Sequence, residues 1–131
     1  MWNNRSGFTL VELIVVIIIV GVLAAVATPM MQVNVARAQR TEAVAALGSI
    51  RTAERLIFAE TGAYVAVAAG SWAATDPLGR YILAIDLTGR IYQPANYSVT
   101  IAGGGFVATA TNPPGGPGLV TINELGAFTG N

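Results

Sequence analysis

The sequence predicts an α+β fold: one long N-terminal helix, apolar in its first half and amphipathic in its second, packed on a small antiparallel sheet of three to four strands. Three observations predict it. Phe8 to Ala27 read FTLVELIVVIIIVGVLAAVA, a twenty-residue run broken by one charge, Glu12. Further on, Ala36, Ala43, Leu47, Ile50, Ala53 and Ile57 keep to helical spacing and form an apolar stripe. Beyond residue 62 the pattern changes to short runs of alternating apolar and polar residues separated by Gly- and Pro-rich stretches, which is strand and turn chemistry.

Composition narrows the function before any motif is read. The chain has 131 residues, enough for one domain, with seven basic and seven acidic residues and a formal net charge of zero. That balance provides no electrostatic footprint for nucleic acid. Hydrophobic residues make up 53% and charged ones only 11%, so part of the chain must avoid water. Cys, His and Lys are all absent. Disulfides, thiolate and imidazole metal sites, Ser-His-Asp catalysis, Schiff-base chemistry and a phosphate-binding Walker lysine therefore all lapse. No catalytic residue, cofactor or metal site is expected, and Asp76, Asp86 and Glu124 form no dense oxygen-ligand loop.

The apolar run is justified by length. A helix of twenty residues covers about 30 Å, the thickness of a bilayer hydrocarbon core. Ile and Val are modest helix formers in water, but in lipid a helix satisfies its own backbone, and that outweighs propensity. Ahead of the run lies a short polar stretch with one cation, Arg5, expected to stay cytoplasmic. A secretory signal would have an uninterrupted apolar core and a small-residue cleavage site, which Glu12 spoils. An ordinary anchor leaves Glu12 unexplained, because a carboxylate near the membrane centre costs about 2.5 to 3.5 kcal/mol.

In the amphipathic half, residues 30–61, Arg37, Arg40, Glu42, Arg51 and Arg55 lie largely off the apolar stripe and read as a solvated face. Arg51 and Glu54 are spaced for an exposed ion pair, and Gly62 for the helix C-cap. The remainder, residues 62–131, is read as loop and sheet. Tyr97 to Ile101 and Phe106 to Thr111 alternate around the turn Ala102 to Gly105 and form a hairpin. A third strand is placed at Leu119 to Asn123, after the Pro-Gly loop Asn112 to Gly118, and a fourth near Tyr81 to Ile85. Asp76-Pro77-Leu78-Gly79 has the residue order of a type I turn. Gly103-Gly104-Gly105 opens no helix and has no Lys, so it is a turn and not a phosphate loop. The aromatics Trp72, Tyr81, Tyr92, Tyr97 and Phe106 are assigned to core packing, since no basic groove stands beside them to make a stacking platform.

Gly7-Phe8-Thr9-Leu10-Val11-Glu12, after a short basic leader and before an apolar helix, resembles the N-terminal signature of type IV pilins and of the pseudopilins of type II secretion. The resemblance covers roughly residues 5–30. It implies a cleaved leader, residues 1–7, removed by a membrane-embedded prepilin peptidase that cuts between Gly7 and Phe8, followed by N-methylation of Phe8. A glycine at the cut lets a peptidase approach the backbone closely. The resemblance also gives Glu12 a role, neutralising the N-terminal amine of a neighbouring subunit in a filament core, where an unpaired charge is costly. Gly21 and Pro29, near the end of the membrane segment 8–29, correspond to positions flanking a stretch that unwinds in assembled filaments. A simple tolerated kink is the other reading of this pair. Tyr64 sits where the family often has a tyrosine, with Val65 in place of the proline that often follows. Asp76 to Gly79 weakly resembles a pseudopilin turn, with Leu78 where Trp would stand.

The function the resemblance implies is structural. The expected protein is a single-pass inner-membrane precursor, held in membrane lipid. An assembly platform and ATPase then draw it into a helical polymer of identical or homologous subunits, extracellular or periplasmic. A pilus serving adhesion or motility is the first reading, and a pseudopilin of a secretion or DNA-uptake filament is the alternative. Many pilins close a C-terminal loop with a disulfide, which this Cys-free chain does not have, and that keeps the alternative open. A membrane-anchored binding module that never polymerises is the third reading.

Overall fold

The computed structural model describes residues 7–111 and 118–130. Met1 to Ser6, with Arg5, and most of the Asn112 to Gly118 loop lie outside the described residues. The chain divides into two compact units, Met1–Val35 and Ala36–Asn131.

Helix α1 runs Leu10–Thr61, 52 residues without interruption. Within the first unit its apolar side chains are exposed, and the helix is long and apolar enough to cross a membrane. The backbone stays helical through Gly21 and Pro29. Pro29 has no N–H to offer the preceding turn, and one residue earlier Thr28 Oγ1 donates to Ala24 O at 2.9 Å.

In the second unit the helix buries Ala43, Leu47, Ile50, Ala53, Glu54 and Ile57, the apolar stripe plus one carboxylate. It ends where Gly62 takes φ +76° and its N–H bonds Phe58 O at 2.8 Å, a left-handed cap that a side chain would strain. The stripe faces a four-stranded antiparallel meander in the order β1 (Tyr97–Ala102), β2 (Gly105–Ala110), β3 (Val120–Asn123), β4 (Phe128–Thr129). Strands β1 and β2 pair from Tyr97↔Ala110 to Ala102↔Gly105. Gly103 and Gly104, both at positive φ, make the two-residue turn between them. Alternation places Tyr97, Val99, Phe106, Ala108, Ala110, Val120 and Ile122 in the core. An isolated antiparallel bridge from Val67 to Val99 partly covers the outer edge of β1.

Tyr81 to Ile85 is not a strand. Short 3-10 turns occupy Pro77–Arg80 and Ala84–Leu87, and the fourth strand is Phe128–Thr129. Asp86 Oδ2 accepts the Leu83 N–H at 2.9 Å and Gly79 N–H bonds Asp76 O at 2.8 Å, so local capping and turn bonds win over ladder pairing. Buried Leu78, Ile82 and Leu87 are spaced four and five apart and anchor these turns to the core without alternation. The loop is fixed further by Trp72, whose buried indole N–H reaches Pro94 O at 3.0 Å and Tyr97 O at 3.3 Å. Tyr64 stacks on Phe58 at 4.4 Å and meets the Phe106 ring edge-on at 5.0 Å, joining the helix end to the sheet.

Two acids on the helix depart from the exposed roles assigned to them, Glu42 on the solvated face and Glu54 in an ion pair with Arg51. Glu54 does not pair with Arg51. It is fully buried and accepts the Val65 N–H at 3.0 Å, while Arg51 Nε donates to Glu124 O at 3.2 Å. Glu42 is half-buried, and its Oε1 accepts the N–H groups of Ile91 at 3.0 Å and Tyr92 at 2.7 Å. A side chain at Gly89 would collide with that carboxylate, so the bare glycine is what lets Glu42 reach the loop. Glu42→Ala should therefore lower stability by about 2 kcal/mol, because two amides lose a charged acceptor. Glu42→Gln, which keeps a carbonyl oxygen, should cost less than half as much. Thermal unfolding of the full chain in detergent measures both, and equal losses would contradict the clamp.

Candidate functional site: the N-terminal segment

Gly7, Phe8 and Thr9 precede the helix, and Glu12 sits in its first turn. Thr9 N–H and Thr9 Oγ1 both donate to Glu12 Oε2 at 2.9 Å, and Glu12 N–H returns a bond to Thr9 Oγ1 at 3.2 Å. This is a reciprocal capping box: two donors that the helix cannot satisfy by itself are met by side chains, and a carboxylate lies at the positive end of the helix dipole. The sequence reading missed Thr9. The available signal was Thr-x-x-Glu immediately before an apolar run.

Phe8 is exposed, and so are the apolar side chains that follow it on every side of the helix. No packing within the described residues explains them. A cylinder that is apolar all round needs lipid or other apolar helices as its surroundings. Among the described residues Glu12 is the one charge in that cylinder, and both bonds its carboxylate accepts fall on one oxygen. A methyl added at Gly7 or at Gly21 would meet nothing within 4 Å. Among the described residues no contact requires either glycine. Gly7, Phe8 and Glu12 thus fall within the first turn and its approach, while Gly21 and Pro29 lie farther along the same helix.

Comparison with known proteins agrees with this geometry. Residues 2–28 match the family model for the prokaryotic N-terminal methylation motif. The chain is 43% identical over 100 residues to the type IV major pilin protein PilE1 of Neisseria gonorrhoeae, covering 76% of this chain and 41% of that protein. It is 38% identical over 78 residues to the fimbrial protein EcpC of Eikenella corrodens, covering 60% of this chain and 51% of the relative. It is 45% identical over 53 residues to the type IV major fimbrial protein FimA of Dichelobacter nodosus, covering 40% of this chain and 34% of the relative. No solved structure matches it. The chain spans half or less of the length of most of these relatives, from 34% to 51%. The motif and fold define a protein with a prokaryotic N-terminal methylation signature on a long helix packed against an antiparallel sheet. In sequence the chain is similar to type IV pilins and fimbrial proteins.

Proposed function

We propose that the chain is a structural subunit of a type IV pilus. In this reading the leader is removed between Gly7 and Phe8 by the prepilin peptidase and the new Phe8 amine is methylated. The subunit waits in the inner membrane as a single-pass protein, with its apolar helix in lipid. An assembly platform and its ATPase then move it into an extracellular helical filament of like subunits. Its contacts there are heterologous and do not close, as an open filament requires. Its part in chemistry is that of a substrate, at Gly7 and Phe8.

The observation that carries this reading is the exposed apolar helix beginning directly after a methylation motif, with one carboxylate in its first turn. In the filament the Glu12 carboxylate meets the Phe8 amine of a neighbour, and Gly21 and Pro29 mark where the helix can loosen on assembly. The relatives' names, major pilin and fimbrial protein, favour a surface pilus over a secretion pseudopilus.

Terminal sequencing of the native subunit should begin at Phe8. Gly7→Ala should leave mostly uncleaved precursor and few filaments. Because the added methyl meets nothing among the described residues, that loss would be a peptidase effect and not a folding one. A mature chain that keeps Met1 would overturn the reading. Electron microscopy after gene deletion separates the two filament types: loss of long surface filaments fits a pilus, and intact filaments with failed secretion fit a pseudopilus.

A further inference from the structure

Glu54 is the one fully buried charged residue among the described residues, and only half of its carboxyl is satisfied. Its Oε2 accepts the Val65 N–H at 3.0 Å, while Oε1 is sealed in the core without a partner. Val65 belongs to a strap, residues 64–67, that leaves the helix end and crosses to the outer edge of β1 outside any regular helix or strand. Three fastenings hold it among the described residues. Tyr64 packs against Phe58 and Phe106, Val65 hangs on Glu54, and Val67 exchanges backbone bonds with Val99, donating at 3.0 Å and accepting at 2.8 Å. The middle fastening depends on a carboxyl. Val65 lies directly on that carboxyl and is itself half-buried, with Ala66 exposed, so a single layer of chain separates Glu54 from water.

No counter-charge stands beside Glu54. On its own helix Arg51 spends its Nε on Glu124 O at 3.2 Å, and Arg55 is exposed. The strap contributes the phenol of Tyr64, held in the aromatic stack, and the sheet end contributes Glu124, a like charge. Glu60, Asp76, Arg80 and Tyr81 line a separate groove. Burial therefore sets the behaviour of Glu54, raising its pKa to about 7 against the opposing Val65 bond. A carboxylate with one oxygen in a dry core is stable only if water reaches it. The strap is the cover that yields first, because it carries few bonds whereas β2 is paired on both sides. We propose that Glu54 is the catch of a pH-operated latch: protonated, it holds residues 64–67 shut over the edge of β1, and on losing its proton it opens that strap to water. Opening frees the Val99 N–H and carbonyl, which leaves β1 an unpaired edge on which another strand can form. The closed strap holds a proton that the opened one gives up, so opening becomes easier as pH rises from about 4.5 to about 7 and is level above that.

The test is amide hydrogen exchange on the full chain in detergent micelles, corrected for the intrinsic rate at each pH. Protection of the Val65 and Val67 amides should fall by roughly 100-fold between pH 4.5 and pH 8, the factor that linkage gives for this change in pKa. At pH 8 both should exchange faster than the amides of β2, through an opening the sheet does not share. Glu54→Gln keeps an acceptor for Val65 and cannot ionise, and it should hold both amides near their pH 4.5 protection at every pH. Three results overturn the proposal: protection of Val65 and Val67 that does not change with pH, exchange of both only at the rate of β2, or an undiminished fall in the Gln variant. The first two are read on the unaltered chain, so they decide the matter even if the variant does not fold.

Discussion

Glu12→Leu should give a subunit that inserts into membranes more readily and assembles into filaments poorly. Replacing a carboxylate with Leu near the membrane removes an insertion cost, so membrane-held subunit should not fall. On the proposed pairing, the same change leaves the Phe8 amine of a neighbour without a counter-charge in an apolar core, a loss of about 3 to 5 kcal/mol. Glu12 also caps its own helix through Thr9, and Leu removes that as well. Loss of the cap is worth about 1 kcal/mol, too little to abolish assembly. Glu12→Gln separates the two contributions, because Gln can complete a capping box without charge. Both variants should show a low ratio of sheared filament to membrane-held subunit, with cleavage after Gly7 intact. Normal filament yield from Gln and poor yield from Leu would assign Glu12 to capping alone and end the charge-pairing mechanism.

The second unit, Ala36–Asn131, should lose stability as pH rises from about 4.5 to about 7. Burial pushes the Glu54 carboxyl up to about 7 from an ordinary value of 4.5, with the Val65 N–H bond opposing the shift in part. Between those values the folded state holds a proton that the unfolded state has released, and it is therefore favoured by lower pH. This contribution is fully present below the unfolded value, drains away as pH passes through the folded one, and is level above it. Its size is on the order of 3 kcal/mol. The second oxygen of Glu54 is buried without a partner, which is where the penalty on the charged form arises. Glu54→Gln keeps an acceptor for Val65 and cannot ionise. It should be more stable than the unaltered chain at pH 8 and flatten the pH dependence. Denaturant unfolding of the full chain in detergent at pH 4.5, 6 and 8 measures this. A Gln variant that keeps the same slope would place the titrating group elsewhere. Glu54→Leu, which strands the Val65 amide, should be less stable than Gln at every pH.

These two glutamates also show how far the sequence can be read unaided. Glu12 was legible because it interrupts an apolar run, where a charge has no ordinary reason to stand. Glu54 was not, because Arg51 three residues earlier gave it an adequate surface partner. Only the fold decides that the helix rotates Glu54 inward beside Ala53 and turns Arg51 toward Glu124. Glu42 was misplaced for the same reason: helical periodicity reports angle around an axis and says nothing of a loop that returns to cover the polar side. The strand near Tyr81 failed because its apolar residues are anchors for turns, and short apolar runs look alike whether they enter a ladder or not.

By itself the sequence determined the elements whose causes are local: the helix through its apolar run and stripe, its end at Gly62, the hairpin through Gly103 and Gly104, and the methylation motif around Gly7 to Glu12. The tertiary structure alone decided which carboxylates are buried or bound to backbone, that the fourth strand is Phe128–Thr129, and that Glu42, Asp86 and Tyr97 share one groove. The physical reason is range. Capping, turn and periodicity energies act within a few residues and are written in order along the chain. Burial and hydrogen bonding between Glu42 and Tyr92, fifty positions apart, exist only once the sheet has closed on the helix.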